Sequence, residues 1–235
     1  MSLRIEDLDT VRCRPEFVQE AVEELQWLGV DWDGEPVFQS RRMDCYLGAW
    51  KRLKQEGWIY PCLRSRKDLR ALPLGEPGDE QDPEPIVPPS WRPPPGAEEA
   101  YDRPDGVTWR FRVPEGESIP FSDLRKGECC YTAGVHIGDF SVWRRDGIPS
   151  YELAVVVDDI DMAITEVVRG EDLLRSTARQ ILLYRALGAD PPRWCHEPLV
   201  RDHEGRRLAK RDHARSLRSY REEGVKASEL LQNLI

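Results

Sequence analysis

The run Leu153-Ala154-Val155-Val156-Val157 is unbroken and apolar, entered from the charged turn Arg144-Arg145-Asp146-Gly147 and closed by Asp158-Asp159. A chain that carries such a run must bury it on every side. Its shortness, its valines and its closing carboxylates predict a strand covered on both faces. Strands of that kind belong to parallel sheets flanked by helices, so the expected class is α/β. In open α/β sheets, ligands sit beyond the carboxyl ends of the strands. Glu166-Val167-Val168 predicts a second short strand that delivers Arg169-Gly170 to the same edge. The stretch from Arg144 to Asp172 thus predicts a small-molecule site with polar groups from two neighbouring strands. Asp158 and Asp159 are expected to be turn and capping acids.

The 235 residues suffice for one α/β domain with an inserted lobe. The chain is acidic, with a formal net charge of -9, yet Arg201 to Lys226 holds nine Lys or Arg against five Asp or Glu. Such a patch can meet phosphate, but charge alone favours a solvated helix face. The six cysteines form no CxxC pair and have no close His to complete a metal spacing. No signal peptide and no apolar run of membrane-spanning length is present. These features predict a reduced, cytoplasmic protein that makes no use of a membrane.

Taken in order, Leu3 to Asp9 predicts a short strand ending in acids. Pro15 opens a helix with Phe17, Ala21, Val22, Leu25 and Leu28 on one face and Gly29 as its stop. Gln39-Ser40 leads into a second helix with the stripe Met43, Tyr46, Leu47, Trp50, Leu53, closed by Gly57. Pro73 to Gly106 is rich in Pro, Gly, Asp and Glu and predicts a loop-like spacer. Thr108 to Val113 alternates Trp109, Phe111 and Val113 with Arg110 and Arg112, which predicts a half-buried strand. Phe121 to Arg125 and Phe140 to Trp143 predict further strands. Ser176 is expected to cap a helix through Ala186, Trp194 to Val200 to form a strand, and Ser216 and Ser228 to begin the last two helices. The predicted division is 1–58 and 144–200 as two parts of one α/β domain, 59–143 as an inserted β-rich lobe, and 201–235 as a basic loop with terminal helices.

The residues alone leave several roles open. Glu6 reads as an ordinary strand-end acid and Arg169 equally as a ligand clamp or an ion pair with Asp172. Tyr151 reads as a cap on the lobe junction, and Lys210 as one more solvated lysine.

Three pieces together resemble a family. Leu3-Arg4-Ile5-Glu6-Asp7-Leu8-Asp9, with Arg12, Pro15 and Trp27-Leu28-Gly29-Val30-Asp31-Trp32-Asp33, is similar to the glutamate-specific class I aminoacyl-tRNA synthetases. The Arg144–Asp172 stretch resembles their glutamate pocket, and Leu208-Ala209-Lys210-Arg211-Asp212-His213-Ala214 resembles their KMSKS loop. The chain ends soon after that loop, where a full glutamyl-tRNA synthetase carries a helical anticodon-binding domain. In this it is similar to the glutamyl-queuosine tRNA(Asp) synthetases, paralogues that attach glutamate to the queuosine base of tRNA(Asp). The resemblance implies a Rossmann-like class I catalytic domain, and L-glutamate, ATP with Mg²⁺ and tRNA(Asp) as partners of a monomer. Alternative readings are a truncated glutamyl-tRNA synthetase that charges tRNA(Glu) and a non-catalytic relative.

Carried over position by position, the resemblance implies that Glu6 meets the substrate ammonium and that Arg169 clamps a carboxylate through two parallel bonds. Tyr151 then supplies an orienting hydroxyl. Lys210, within the KMSKS-like Arg207-Leu208-Ala209-Lys210-Arg211, stabilises charge on the phosphates. Ala209 stands at the usual Ser position. Two departures matter. The family's HIGH motif lies upstream of the Glu6 strand, which predicts a chain truncated at its start. His136-Ile137-Gly138-Asp139 does not replace it, because it leads into a strand, whereas HIGH begins a helix facing the phosphates. Many members also hold zinc through three Cys and a Tyr. Here those positions are Cys62, Arg64, Val87 and Trp91, so no structural zinc is expected.

Overall fold

The computed structural model describes residues 1–74, 85–199 and 216–232. The chain divides into two compact units, Met1–Met43 with Val200–Ile235, and Asp44–Leu199.

In the first unit, β1 (Arg4–Ile5) pairs in parallel with β2 (Val37–Phe38). Between them runs α1 (Pro15–Trp27), opened by Pro15, whose missing N–H leaves no donor stranded in the first turn. Gly29, at φ 79°, ends it in a conformation that L side chains rarely adopt. The apolar face expected on α1 is not buried: none of its residues is, and Phe17 is 54% exposed. Asp7 accepts from the Ser40 backbone N–H at 2.8 Å and its hydroxyl at 2.6 Å, which ties the two strand ends together. Ser216 caps α6 (Leu217–Glu222), and Arg218 and Arg221 reach Glu20 and Glu23 of α1, each at 3.4 Å. A final helix, α7, spans Ala227–Gln232.

The second unit begins with α2 (Met43–Gln55), which buries Tyr46, Trp50 and Leu53, one face at helical spacing. The strand β3 (Ile59–Cys62), the short helix α3 (Arg66–Arg70) and β4 (Thr108–Phe111) follow. The hairpin β5 (Ser118–Asp123) and β6 (Gly127–Thr132) and the strand β7 (Ser141–Trp143) come next. One antiparallel sheet has the order β3-β4-β7. Its core is aromatic: Trp109 is fully buried, edge-on to Trp50 at 5.0 Å and to Tyr101 at 5.6 Å. The alternation in β4 predicted Arg110 on a solvent face. Instead β4 is the middle strand, and Arg110 is only 6% exposed.

The chain continues through α4 (Tyr151–Asp161), β8 (Glu166–Gly170), α5 (Leu174–Ala186) and β9 (Arg193–Glu197). The second sheet has the order β6-β5-β9-β8, with β5 and β9 parallel, β9 and β8 parallel, and β5 and β6 antiparallel. It joins the predicted lobe hairpin to the strands that follow it. In β5 the residues alternate strictly, Ile119, Phe121 and Asp123 inward and Ser118, Pro120 and Ser122 outward.

The run Leu153–Val157 corrects its prediction. It is helix, not strand, and lies within α4. Apolarity on all sides fits a helix buried all round as well as it fits a doubly covered strand. Ser150 decides the outcome: its side chain accepts from the Leu153 N–H and starts the helix. Burial against α5 and β7 then overrides the modest helix propensity of valine. Asp158 and Asp159 are therefore neither turn nor capping acids. Both are buried inside α4, where Asp158 accepts from the Tyr46 hydroxyl at 3.0 Å and Asp159 from Tyr184 at 3.4 Å. Ser176 is likewise not a cap but lies within α5, donating to Glu152 at 2.8 Å.

Candidate functional site

Two parallel strands do end side by side, but they are β8 and β9. Their register sets Arg169 beside His196 and Gly170 beside Glu197. Arg169 is half-buried, its guanidinium 4.8 Å above the Trp194 ring. Its Nε donates to His196 Nε2 at 3.2 Å, and one Nη donates to Thr177 Oγ1 at 2.7 Å and to the Leu173 carbonyl at 3.3 Å. The other Nη has no hydrogen-bond partner among the described residues. None of its hydrogen bonds goes to Asp172, the ion-pair partner that sequence proximity offered. The Asp172 carboxylate instead sits over Gly170, where a Cβ would meet it at 2.6 Å.

His196 is fully buried, and its Nδ1 lies 2.7 Å from Asp123 Oδ2. Arginine can only donate, so the His196 Nε2 that faces Arg169 must be the acceptor. The proton then sits on Nδ1, and the ring is neutral. Burial drives the imidazole below its ordinary value and Arg169 adds to this, while Asp123 pulls the other way. Asp123 closes the β5–β6 turn, accepting from the backbone N–H of Arg125 at 3.0 Å and of Lys126 at 2.8 Å. Burial pushes its carboxyl up, but the bonds from His196, Lys126 and Arg125 outweigh this and hold it below the usual range. Asp123, His196 and Thr177 thus form a bracket that presents one edge of the Arg169 guanidinium. No local pattern in the sequence marks these three, because Asp123 and His196 stand 73 positions apart and only strand pairing joins them.

Tyr151 is the first residue of α4 and is 42% exposed. Its neighbour Glu152 anchors that turn to α5, accepting from Ser176 at 2.8 Å and from Gln180 at 2.9 Å, with Arg179 at 3.7 Å. Burial raises the Glu152 carboxyl above its ordinary value, against the opposing pull of Arg179 and the two hydrogen bonds. Glu6 belongs to the first unit, where Arg4 donates to it at 3.2 Å. Arg207, Leu208, Ala209, Lys210 and Arg211 lie outside the described residues.

The segment His136–Asp139 is a structural corner. His136 Nδ1 accepts from the Thr132 N–H at 2.8 Å. A Cβ at Gly138 would meet the Val87 backbone N at 2.5 Å, so the two segments approach as closely as only glycine allows. Asp139 is buried beneath Tyr60 and Arg92, and the next element is β7. No helix starts there, as the sequence pattern required.

The four zinc positions hold a buried thiol at Cys62, a guanidinium at Arg64, an isopropyl group at Val87 and an indole at Trp91. Arg64 lies over the Trp91 ring at 5.6 Å. One thiolate and a cation stacked on an indole do not fit a tetrahedral zinc. Among the described residues, no group of three or more His, Cys, Asp or Glu gathers to hold a metal. No helix among them is long and apolar enough to cross a membrane.

The matching family description is tRNA synthetases class I (E and Q), catalytic domain, over residues 1–235. The chain belongs to this family, and its fold is that of a class I synthetase catalytic domain. It is 42% identical over 242 residues to a glutamyl-Q tRNA(Asp) synthetase of Symbiobacterium thermophilum, covering 99% of this chain and 74% of that protein. It is 40% identical over 234 residues to a glutamate–tRNA ligase of Leptothrix cholodnii, covering 99% of this chain and 49% of that protein. The chain therefore spans about half the length of the glutamate–tRNA ligases it matches. A crystal structure of a glutamate tRNA ligase from Elizabethkingia meningosepticum, in complex with its amino acid, superposes with a TM-score of 0.72 at 27% identity. The match covers 89% of this chain and 45% of that one.

Proposed function

We propose that this chain is the catalytic domain of a ligase that activates L-glutamate with ATP and transfers it to the queuosine base of tRNA(Asp). The observation that carries the reading is Arg169: a half-buried guanidinium, held on one edge by neutral His196 and Thr177, with its other edge uncommitted. Such an edge suits a carboxylate, which accepts two parallel bonds. Tyr151 orients the same substrate through its hydroxyl, and Glu6 meets its ammonium group. In the first step a glutamate carboxylate oxygen attacks the α-phosphorus of ATP, and pyrophosphate leaves. Lys210 stabilises the charge that develops on the phosphates. In the second step a queuosine hydroxyl attacks the acyl carbonyl, and AMP leaves. Mg²⁺ accompanies ATP on its phosphate oxygens and water. In this reading 1–58 and 144–200 form the catalytic domain, 59–143 the inserted lobe, and 201–235 the phosphate-facing loop with its helices. The protein acts as a cytoplasmic monomer.

A second reading has the same chemistry end on tRNA(Glu). The 40% identity to a protein of that name supports it. Transfer of labelled glutamate separates the two. ATP-dependent label on queuosine-containing tRNA(Asp) is expected; label on tRNA(Glu) alone removes the queuosine assignment, and label on neither removes both. Arg169→Ala is expected to cut incorporation by about 10- to 100-fold, the loss of a charge-assisted bond at 1.4 kcal/mol per decade.

A further inference from the structure

Glu152 is a buried carboxylate that the proposed chemistry leaves unused. It is 8% exposed and sits in the first turn of α4, the helix that packs against α5. Its two oxygens are divided between two donors of α5. Ser176 donates to Oε1 at 2.8 Å and Gln180 to Oε2 at 2.9 Å, and Arg179 stands 3.7 Å from Oε1. Ser176 and Gln180 are four residues apart on one face of α5, so the carboxylate straddles a single turn of that helix. An apolar side chain would fill the same space without the penalty of burying a charge.

What the carboxylate joins gives the reason for it. On its own helix Glu152 is next to Tyr151, the first residue of α4. Across the interface Ser176 is next to Thr177, which accepts from Arg169 at 2.7 Å and lies 3.0 Å from His196 Nε2. One path therefore runs from Tyr151 through Glu152, Ser176 and Thr177 to Arg169. Each step in it is a peptide bond or a hydrogen bond, the latter 2.8 Å and 2.7 Å long. Farther along α4 the link to α5 is looser, with Tyr184 reaching Asp159 at 3.4 Å. Apolar burial holds two helices together without fixing direction, whereas hydrogen bonds set both distance and angle.

We propose that Glu152 is a positioning residue, a strut that sets the spacing between Tyr151 and Arg169. The proposal rests on the reading of those two side chains as glutamate ligands. A substrate held by both tolerates little error in their spacing, since a displacement of about 1 Å can cost on the order of 100-fold. Glu152 itself makes no contact with substrate and acts only through its neighbours. It therefore separates two quantities that a purely structural residue would move together, the stability of the fold and the affinity for glutamate.

The test compares the full chain with Glu152→Leu, which fills the space but accepts no bond, and with Glu152→Gln, which regains both bonds once the Gln180 amide turns over. Ser176→Ala cuts the same path at its middle with a smaller loss of contacts, and serves if Glu152→Leu does not fold. Tyr46→Phe removes a donor to Asp158 elsewhere in α4 and is the control. Glutamate affinity and stoichiometry are read by calorimetry. Exchange of the Arg169 Nε proton with water is read by NMR on isotope-labelled arginine, the signal being assigned by its loss in Arg169→Lys. Glu152→Leu is expected to weaken glutamate binding by about 10-fold at unchanged stoichiometry, and to speed the Arg169 exchange by a similar factor. Ser176→Ala should give about threefold in both, Glu152→Gln should stay within about threefold of wild type, and Tyr46→Phe should move stability alone. Wild-type affinity and exchange in Glu152→Leu, or in Ser176→Ala where it stands in, would overturn the strut. So would a Tyr46→Phe effect as large as that of Glu152→Leu. A wild-type chain that binds no glutamate would break the proposed function instead, and the Arg169 exchange would still decide whether Glu152 holds that side chain in place.

Discussion

Asp139 and Asp123 are both buried carboxylates next to strands of the second unit, and they serve opposite ends. Asp139 accepts from Tyr60 at 2.7 Å, twice from Arg92 at 2.8 Å and from the Val113 N–H at 2.9 Å. Arg92 spends its remaining capacity on the Val113 carbonyl at 2.6 Å and faces Glu115 at 3.6 Å. Burial pushes the Tyr60 hydroxyl far above its ordinary value, Asp139 adds to this, and the phenol stays a donor. Every group in that cluster is used, and the cluster is a lock. Asp123 instead orients a neutral imidazole, which accepts from an arginine that still has donors to give. A closed polar network fixes a fold, and an open-ended one directs its last member outward. The two clusters therefore predict different losses when they are cut.

The largest loss is expected at the lock. Asp139→Ala leaves the part-buried Arg92 with only the exposed Glu115 at 3.6 Å, strands the Tyr60 hydroxyl and the Val113 N–H, and should cost about 3–5 kcal/mol in urea unfolding. A cost below about 1 kcal/mol would mean that the lock is ornamental and the comparison fails. At the open network the balance should reverse. His196→Gln keeps a donor for Asp123 or an acceptor for Arg169, but not both at the imidazole spacing. Stability should fall by about 1–2 kcal/mol, and glutamate binding in calorimetry should weaken by about tenfold. Lost stability with unchanged affinity would show that His196 holds the sheet and does not position Arg169.

The split between legible and hidden parts follows the same line. Helix stops at Gly29 and Gly57, the strands around Trp109 and Val167, and the structural nature of His136–Asp139 were readable, because each depends on a local signal. The helix at Leu153–Val157 was not. Once burial covers every face, the pattern no longer carries a period, and only Ser150 marked the start. The strand pattern placed Arg169 at an edge and the resemblance gave it a role, but its hydrogen-bond partners were not legible, since Asp123, Thr177 and His196 meet only after β5, β8 and β9 pair and α5 packs on them. Arg110 was misplaced for a related reason: alternation reports one face of a strand and says nothing of what covers the other.

The smallest expected effect is the sharpest test of the bracket. His196 sits below its ordinary 6.5 in the folded protein, chiefly through burial, with Arg169 and Lys126 adding and Asp123 opposing. The unfolded chain takes up that proton near 6.5 while the folded one refuses it. Stability should therefore fall as pH drops through about 6.5, with a limiting slope of about 1.4 kcal/mol per pH unit from this one group. Asp123, held below its ordinary 3.8, gives the same sign in a lower window, as pH falls through 3.8. Glu152 gives the opposite sign. Its carboxyl is raised above 4.5, so its unfavourable ionisation is relieved as pH falls toward 4.5, and this partly masks the histidine in the wild-type curve. The quantity to measure is accordingly the difference in unfolding free energy between wild type and His196→Gln from pH 7.5 to 5. That difference should shrink steadily below about 6.5, because only the wild type loses stability there through the imidazole. A difference that stays level would mean that His196 titrates alike in both states, and that its ring is not held neutral against Arg169.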